Sequence, residues 1–387
     1  MLLPSRFCIL KNSWMVKSVH LQILYTIVGL FTSLPSHAAP WTPQDTDIVL
    51  DYAPRIQSQP KPIAQRLKSI DQALEQSQKI GQSNAIDIAS RTFATLDQKN
   101  LTHQQKNHFF YLKGVFVQKS HDFTQALTWL DKVSPQSEYF ASATLLKSRI
   151  FVLQDKLDLA RQQCTTLFGV LSPELIHLCV LETQIDNPST ITAFQTLIKQ
   201  FERVDKNRQT TSTQYLAADF KIKLWLNRFG ATLAALHGHI EQARQFLDHN
   251  LSAQELYDVL LWTDFTIDLH QNDVQVLQET YDYLHAYASP AQSAAQPATK
   301  STMTDAFLLR LARLAQLLKL STDYKSKITD KIKLRLARQD TTHEADLAYY
   351  FLYIEKDKTQ AQFWATQNWN SSKDYVDQKI KQAADSL

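Results

Sequence analysis

Phe109-Phe110-Tyr111-Leu112-Lys113-Gly114, followed by Phe123-Thr124-Gln125-Ala126-Leu127-Thr128-Trp129-Leu130, sets out a pattern of residue sizes that returns 34 positions later. Gly114, Ala126, Leu130 and Val133 are answered by Ser148, Ala160, Cys164 and Leu167. Small residues at Gly114 and Ser148 let two helices approach closely. Ala126 and Ala160, each 12 positions on, supply the other half of that contact. His121-Asp122 and Asp155-Lys156 provide polar turns, and Ser134-Pro135 stops the first hairpin, because proline disfavours helix at the residue before it. The stretch therefore predicts two helical hairpins. Such units cannot bury their apolar faces alone and require neighbours.

The same theme extends outward. Upstream, Leu67, Ile70, Leu74 and then Ile86, Ala89, Phe93 and Leu96 recur at helical spacing, with Ala89 and Phe93 matching Ala126 and Leu130. This predicts a first hairpin with a longer turn between repeats, since Ala89 precedes Ala126 by 37 positions. Downstream the pattern fades after Leu167 and returns at Ala231, Ala243 and Leu247. Arg203 to Thr213 is expected to be an exposed loop or helix end, and a further hairpin is expected over Ala253–Leu269 and Val274–Ala286. Helices are predicted over Phe307–Lys319, Tyr324–Ala337, Glu344–Glu355 and Thr359–Trp369, with Asp374–Ala384 as a polar capping helix. Ala361 and Ala365 repeat the small-residue theme.

Composition agrees. Of 387 residues, 44% are hydrophobic and only 6 are glycine, which disfavours sandwiches and barrels with their glycine-rich turns. The expected fold is all-α. The first 39 residues differ: Arg6, Lys11 and Lys17 precede the apolar run Leu21–Leu34, and small residues follow it. This describes a secretory signal peptide, shorter than the ~20 apolar residues that span a bilayer. Met15 offers a more compact start. Residues 40–62 form a proline-rich extended lead-in, 63–287 the repeats, 288–304 an Ala/Ser/Pro/Gln-rich loop, and 305–387 the C-terminal helices and cap. No membrane span is expected after cleavage. Without residues 1–39, basic and acidic residues balance at 38 each, which gives no electrostatic reason to expect nucleic acid.

Cys164 and Cys179 survive that cleavage. Either they are two buried apolar thiols, Cys164 filling the place of Leu130, or in an oxidising compartment they close a disulfide loop. Candidate chemistry elsewhere is sparse. His237-Gly238-His239 with Glu241 reads as a hairpin turn, since zinc needs three or four convergent ligands. His343-Glu344 lacks a second histidine, and neither a phosphate-binding glycine loop nor a Gly-x-Ser-x-Gly elbow occurs. No metal, cofactor or catalytic residue is expected. Stacked hairpins leave a strip along the first helix of each pair, here Tyr111, Val115 and Lys119 beside Leu145, Arg149 and Val152, with Arg228 further on. Its aromatic, apolar and cationic mixture suits an extended peptide or a carboxylate. The bland alternative is an ordinary solvated helix face.

The 34-residue period with these small positions resembles the tetratricopeptide repeat. Gln118-Lys119-Ser120-His121-Asp122-Phe123, Ala160-Arg161, Cys164, Cys179, Trp262-Thr263-Asp264-Phe265 and Asn368-Trp369 together resemble uncharacterised exported tetratricopeptide-repeat proteins of Gram-negative bacteria. The resemblance implies a right-handed superhelical solenoid, a structural Cys164–Cys179 bridge, and a periplasmic, non-catalytic scaffold. A protein or peptide partner is expected, such as exposed segments of an inner-membrane protein. The competing expectation is a cell-wall hydrolase or lytic enzyme, marked by an acidic residue of raised pKa in a deep cleft.

Overall fold

In a computed structural model the described residues are 61–207, 213–288 and 303–387, and they are all-α. The expected signal segment and most of the expected lead-in and 288–304 loop lie outside them, as does 208–212 within the polar stretch. Seventeen helices follow one another among these residues: α1 (Ile63–Gln76), α2 (Ala85–Ala94), α3 (His103–Gln118), α4 (Phe123–Leu130), α5 (Phe140–Leu153), α6 (Leu157–Thr165), α7 (Pro173–Glu182), α8 (Ser189–Asn207) and α9 (Thr213–Leu236). They continue as α10 (Ile240–Asp248), α11 (Leu256–Leu269), α12 (Val274–Ala288), α13 (Asp305–Leu317), α14 (Tyr324–Ala337), α15 (Glu344–Tyr349), α16 (Lys358–Ser371) and α17 (Tyr375–Asp385). Beyond Tyr349, α15 widens into a π-helical turn over Tyr350–Glu355.

The 34-residue offset has a direct geometric counterpart. A Cβ added to Gly114 would stand 2.5 Å from Leu130 Cδ2 and 3.5 Å from the Ala126 carbonyl oxygen, so α3 and α4 meet where a larger residue would have to push the Leu130 side chain aside. At the matching place in α5 and α6, Ser148 Oγ donates to the Ala160 carbonyl at 3.1 Å and lies 3.2 Å from Cys164 Sγ. The connecting turns match as well. His121, Asp155, Gly238 and Lys356 all have positive φ (60°, 58°, 82° and 61°), and each stands five residues before the small residue of the second helix. In two of them the 6→1 bond of a Schellman motif closes the turn, Lys156 N–H to Phe151 O at 2.8 Å and His239 N–H to Ala234 O at 2.8 Å. His237-Gly238-His239 is thus a hairpin turn, and His237 Nε2 donates to the Ile185 carbonyl at 3.3 Å.

Lys319, also at positive φ (56°), marks the same turn between α13 and α14. Here the register pairs Ala312 with Tyr324, while between α15 and α16 it pairs Tyr349 with Ala361. All four residues are buried in one core cluster. The small–small pair of the first hairpins has become small–large and then large–small. Bulk is exchanged across the contact, and the hairpin is retained.

The extra three residues before Ala126 are not in the connection between repeats. Instead α3 is longer than α5, 16 residues against 14, because a Thr102/Gln105 capping box starts it early, and its turn gains one more residue. The long turn lies inside the first hairpin, and it has a task. Ile80 N–H bonds to Gln254 O at 3.1 Å, Leu256 N–H to Gln78 O at 2.8 Å, and Lys79 Nζ reaches both Ala253 O and Glu255 Oε1 at 2.7 Å. This ties the α1–α2 turn to the start of α11. A second long-range tie runs from Lys373 N–H to the Leu153 carbonyl at 2.8 Å, bringing the α16–α17 turn onto the end of α5. Residues 61–387 form one compact unit, and the largest core cluster joins α11 and α12 to α13–α17.

Candidate functional site: the strip along the first helices

α1, α3, α5 and α7 pack each on the next, so the strip expected from Tyr111 to Arg149 exists as a set of neighbouring helices. Tyr111 is half-buried and stacks on Tyr139 (centroids 5.8 Å apart), and burial pushes its hydroxyl up to about 12. Leu145 is half-buried on α5. Arg149 follows the buried Ser148 and keeps 36% of its side chain exposed.

Its guanidinium is not free, however. Arg149 Nη2 donates to Asp374 Oδ2 at 3.1 Å, and the Tyr257 hydroxyl donates to the same oxygen at 2.9 Å. Burial disfavours the Arg149 charge, but Asp374, Glu182 and Tyr257 together outweigh it and hold the pKa above its ordinary value. The carboxylate expected from outside is supplied 225 positions away in the same chain. Arg228 is likewise engaged: its Nε donates to Asp258 Oδ1 at 2.5 Å, and its guanidinium lies 5.3 Å from the Tyr257 ring centroid. Asp258 is wholly buried, and its other oxygen accepts from Asn250 Nδ2 at 2.9 Å.

The sequence did not mark Glu182 or Trp225. Trp225 Nε1 donates to Glu182 Oε1 at 2.9 Å, and burial raises the Glu182 pKa while Arg149 and that hydrogen bond oppose the shift. Arg149, Glu182, Trp225, Arg228, Tyr257 and Asp374 therefore form one polar strip drawn from α5, α7, α9, α11 and the N-cap of α17. Below it, Cys164 and Cys179 are joined by a disulfide, with Cα atoms 5.7 Å apart. The bridge covalently fastens α6 to α7 at the place where the regular sequence pattern ends.

A second polar group is buried in the C-terminal core. Arg310 Nη2 donates to Asp264 Oδ2 at 2.6 Å, and the Tyr349 hydroxyl donates to Asp264 Oδ1 at 2.8 Å while accepting from Arg313 Nη1 at 3.1 Å. Arg310 stacks over Tyr349 (4.0 Å to the centroid) and Arg313 over Tyr353 (3.8 Å). Burial alone would raise the Asp264 pKa, yet Arg310, Lys379 and Arg313 hold it below its ordinary value. An audible signal existed in the sequence: Arg310 and Arg313 interrupt the otherwise apolar run Phe307–Ala315, and Asp264 interrupts that of α11.

Among the described residues no group of three or more His, Cys, Asp and Glu could hold a metal ion, and no helix is long and apolar enough to cross a membrane. Comparison with family models, with curated proteins and with solved structures yields no match to this chain.

Proposed function

We propose that this chain is an exported, non-catalytic periplasmic scaffold, a right-handed solenoid of tetratricopeptide-like hairpins whose strip holds a carboxylate-bearing segment of a protein partner. The exposed part of an inner-membrane protein is the partner class favoured. One observation carries the reading: the Arg149 guanidinium and the Tyr257 hydroxyl already recognise a carboxylate, that of Asp374, which a partner's acidic group would displace. That is the geometry in which a cationic and a neutral donor share an acidic group. The recurring turns at His121, Asp155, Gly238 and Lys356 support the hairpin assignment, and the successive packing of α1, α3, α5 and α7 supports the stacking. The apolar run Leu21–Leu34 supports export.

One observation favours the alternative, a cell-wall hydrolase. Glu182 is a half-buried carboxyl of raised pKa, and Asp374 adds to that shift. A glycosidase does pair two carboxyl groups. Both Trp225 and Arg149, however, favour the charged form of Glu182, whereas a general acid must hold its proton. The scaffold reading ranks first.

Arg149→Gln separates them. Arg149→Glu is unsuitable, because it would face Asp374 and Glu182 with a third negative charge. Partner recovery from periplasm is expected to fall about tenfold with Arg149→Gln, the effect of losing about 1.4 kcal/mol from a charged hydrogen bond. Recovery equal to wild type would return Arg149 to a purely structural role. Turnover of peptidoglycan that disappears in Glu182→Gln would establish the hydrolase instead.

A further inference from the structure

Where the α3–α4 turn meets the loop before α15, three basic side chains converge without a carboxylate of their own. His121 and His343 approach edge-to-face, with ring centroids 5.2 Å apart, and His121 also stacks on Phe123 at 5.5 Å. Lys119 is two residues from His121, half-buried, and close enough to act electrostatically on His343. Neither imidazole, nor the Lys119 ammonium, has a hydrogen bond or ion pair with any described residue.

The acidic groups that face this corner are all engaged elsewhere. Glu255 is held by Lys79 at 2.7 Å, and Asp374 by Arg149 and Tyr257. Asp305 is held by Lys331 at 2.7 Å and Arg335 at 3.1 Å, while Asp340 accepts from the Thr342 N–H at 3.0 Å. Arg335 is engaged by Asp305 and by the Thr342 and His343 carbonyls, but its charge still reaches His343. His343 is exposed and no nitrogen of Lys119 or His121 is sealed from solvent, so an anion can reach the corner, where the four imidazole nitrogens offer hydrogen-bonding capacity that the fold does not use. A metal ion suits the corner poorly, since only two imidazoles are present and the neighbouring charges, Lys119 and Arg335, are positive.

We propose that Lys119, His121 and His343 form a receiving site for an oxyanion of the carboxylate or phosphate class, bound against the two imidazoles within the field of the Lys119 ammonium. The site stands whether or not the chain is a scaffold. Occupancy would join the first hairpins to the C-terminal helices, because its residues come from both.

The coupling to pH follows. Burial and the neighbouring His343 press His121 down to about 4, and burial and Arg335 lower His343. Both imidazoles are therefore neutral at pH 7. A bound anion favours their protonated forms, so affinity rises as pH falls from 7 toward about 5, below which a carboxylate ligand begins to take up a proton itself.

The test is an NMR titration of the imidazole resonances of the folded exported chain in chloride buffer, with inorganic phosphate in one arm and acetate in another. Saturating anion is expected to raise the apparent pKa of His121 and His343 by about one unit, equivalent to tenfold tighter binding to the protonated form. Lys119→Gln should diminish the shift, and His121→Asn should remove that of His343. Asparagine is chosen because it tolerates the left-handed backbone at His121 (φ 60°). A response to phosphate alone assigns the phosphate class, and a response to acetate assigns the carboxylate class. No response to either anion, a response to Zn²⁺ without one to anions, or a shift unchanged in Lys119→Gln would each overturn the site.

Discussion

Asp264→Ala is expected to destabilise the chain by about 3–5 kcal/mol, the cost of leaving a buried charge without its partner. Arg310 and Arg313 are 5% and 9% exposed, and both depend on Asp264 for charge balance. Lys379 and Asp268 lie beside them and pair with each other, so Asp268 is shared and cannot replace the lost carboxylate for both arginines. Arg310 has the least recourse, because its Nε is already buried without a hydrogen-bond partner. The second arm of the experiment is Asp264→Leu with Arg310→Met. Apolar groups of similar volume can replace a buried pair at little cost, so this double variant should recover most of the loss. Urea denaturation at an unchanged m-value reads both. A single variant within 1 kcal/mol of wild type would mean that the network contributes nothing to stability.

Reduction of the Cys164–Cys179 bridge is expected to cost roughly 3 kcal/mol, the chain-entropy value for a loop of about 15 residues. Both sulfurs are buried, 0% and 1% exposed, so little solvation change offsets the loss. Cys164→Ser should produce the same fall in the denaturation midpoint and should make the chain indifferent to dithiothreitol. The local consequence should be specific: α6 and α7 should gain hydrogen-exchange rates ahead of α3 and α4, whose contact at Gly114 needs no covalent help. Wild-type stability that ignores reductant would remove the bridge from the account.

The first hairpins were legible because their small residues sit on both sides of the helix contact. Gly114 with Ala126, Ser148 with Ala160, and Ala231 with Ala243 are visible to anyone counting sizes at a separation of 12. Ala312 with Tyr324 and Tyr349 with Ala361 occupy the same register but exchange bulk, and a search for two small residues passes over them. The left-handed turn residue five positions ahead of the packing residue of the second helix is the better marker, yet His121, Asp155, Gly238, Lys319 and Lys356 share a backbone conformation and no single side-chain type. The strip was half legible. Arg149 stands beside a small packed residue and so turns from the core, as its position predicts. Its partner could not be read, because Asp374 looks like nothing more than the N-cap of a terminal helix, and the Lys373–Leu153 backbone bond that delivers it has no local signature.

The central claim is that the strip engages a protein partner in the periplasm. A photo-crosslinking residue placed at Leu145, half-buried on the strip, and at Gln125, exposed on α4, tests it in living cells. The account predicts a discrete protein adduct from the Leu145 position, on a chain whose N-terminus lies just beyond Ala39, and none from Gln125. Adducts of equal yield from both positions, or none from either while the purified chain degrades peptidoglycan, would contradict it.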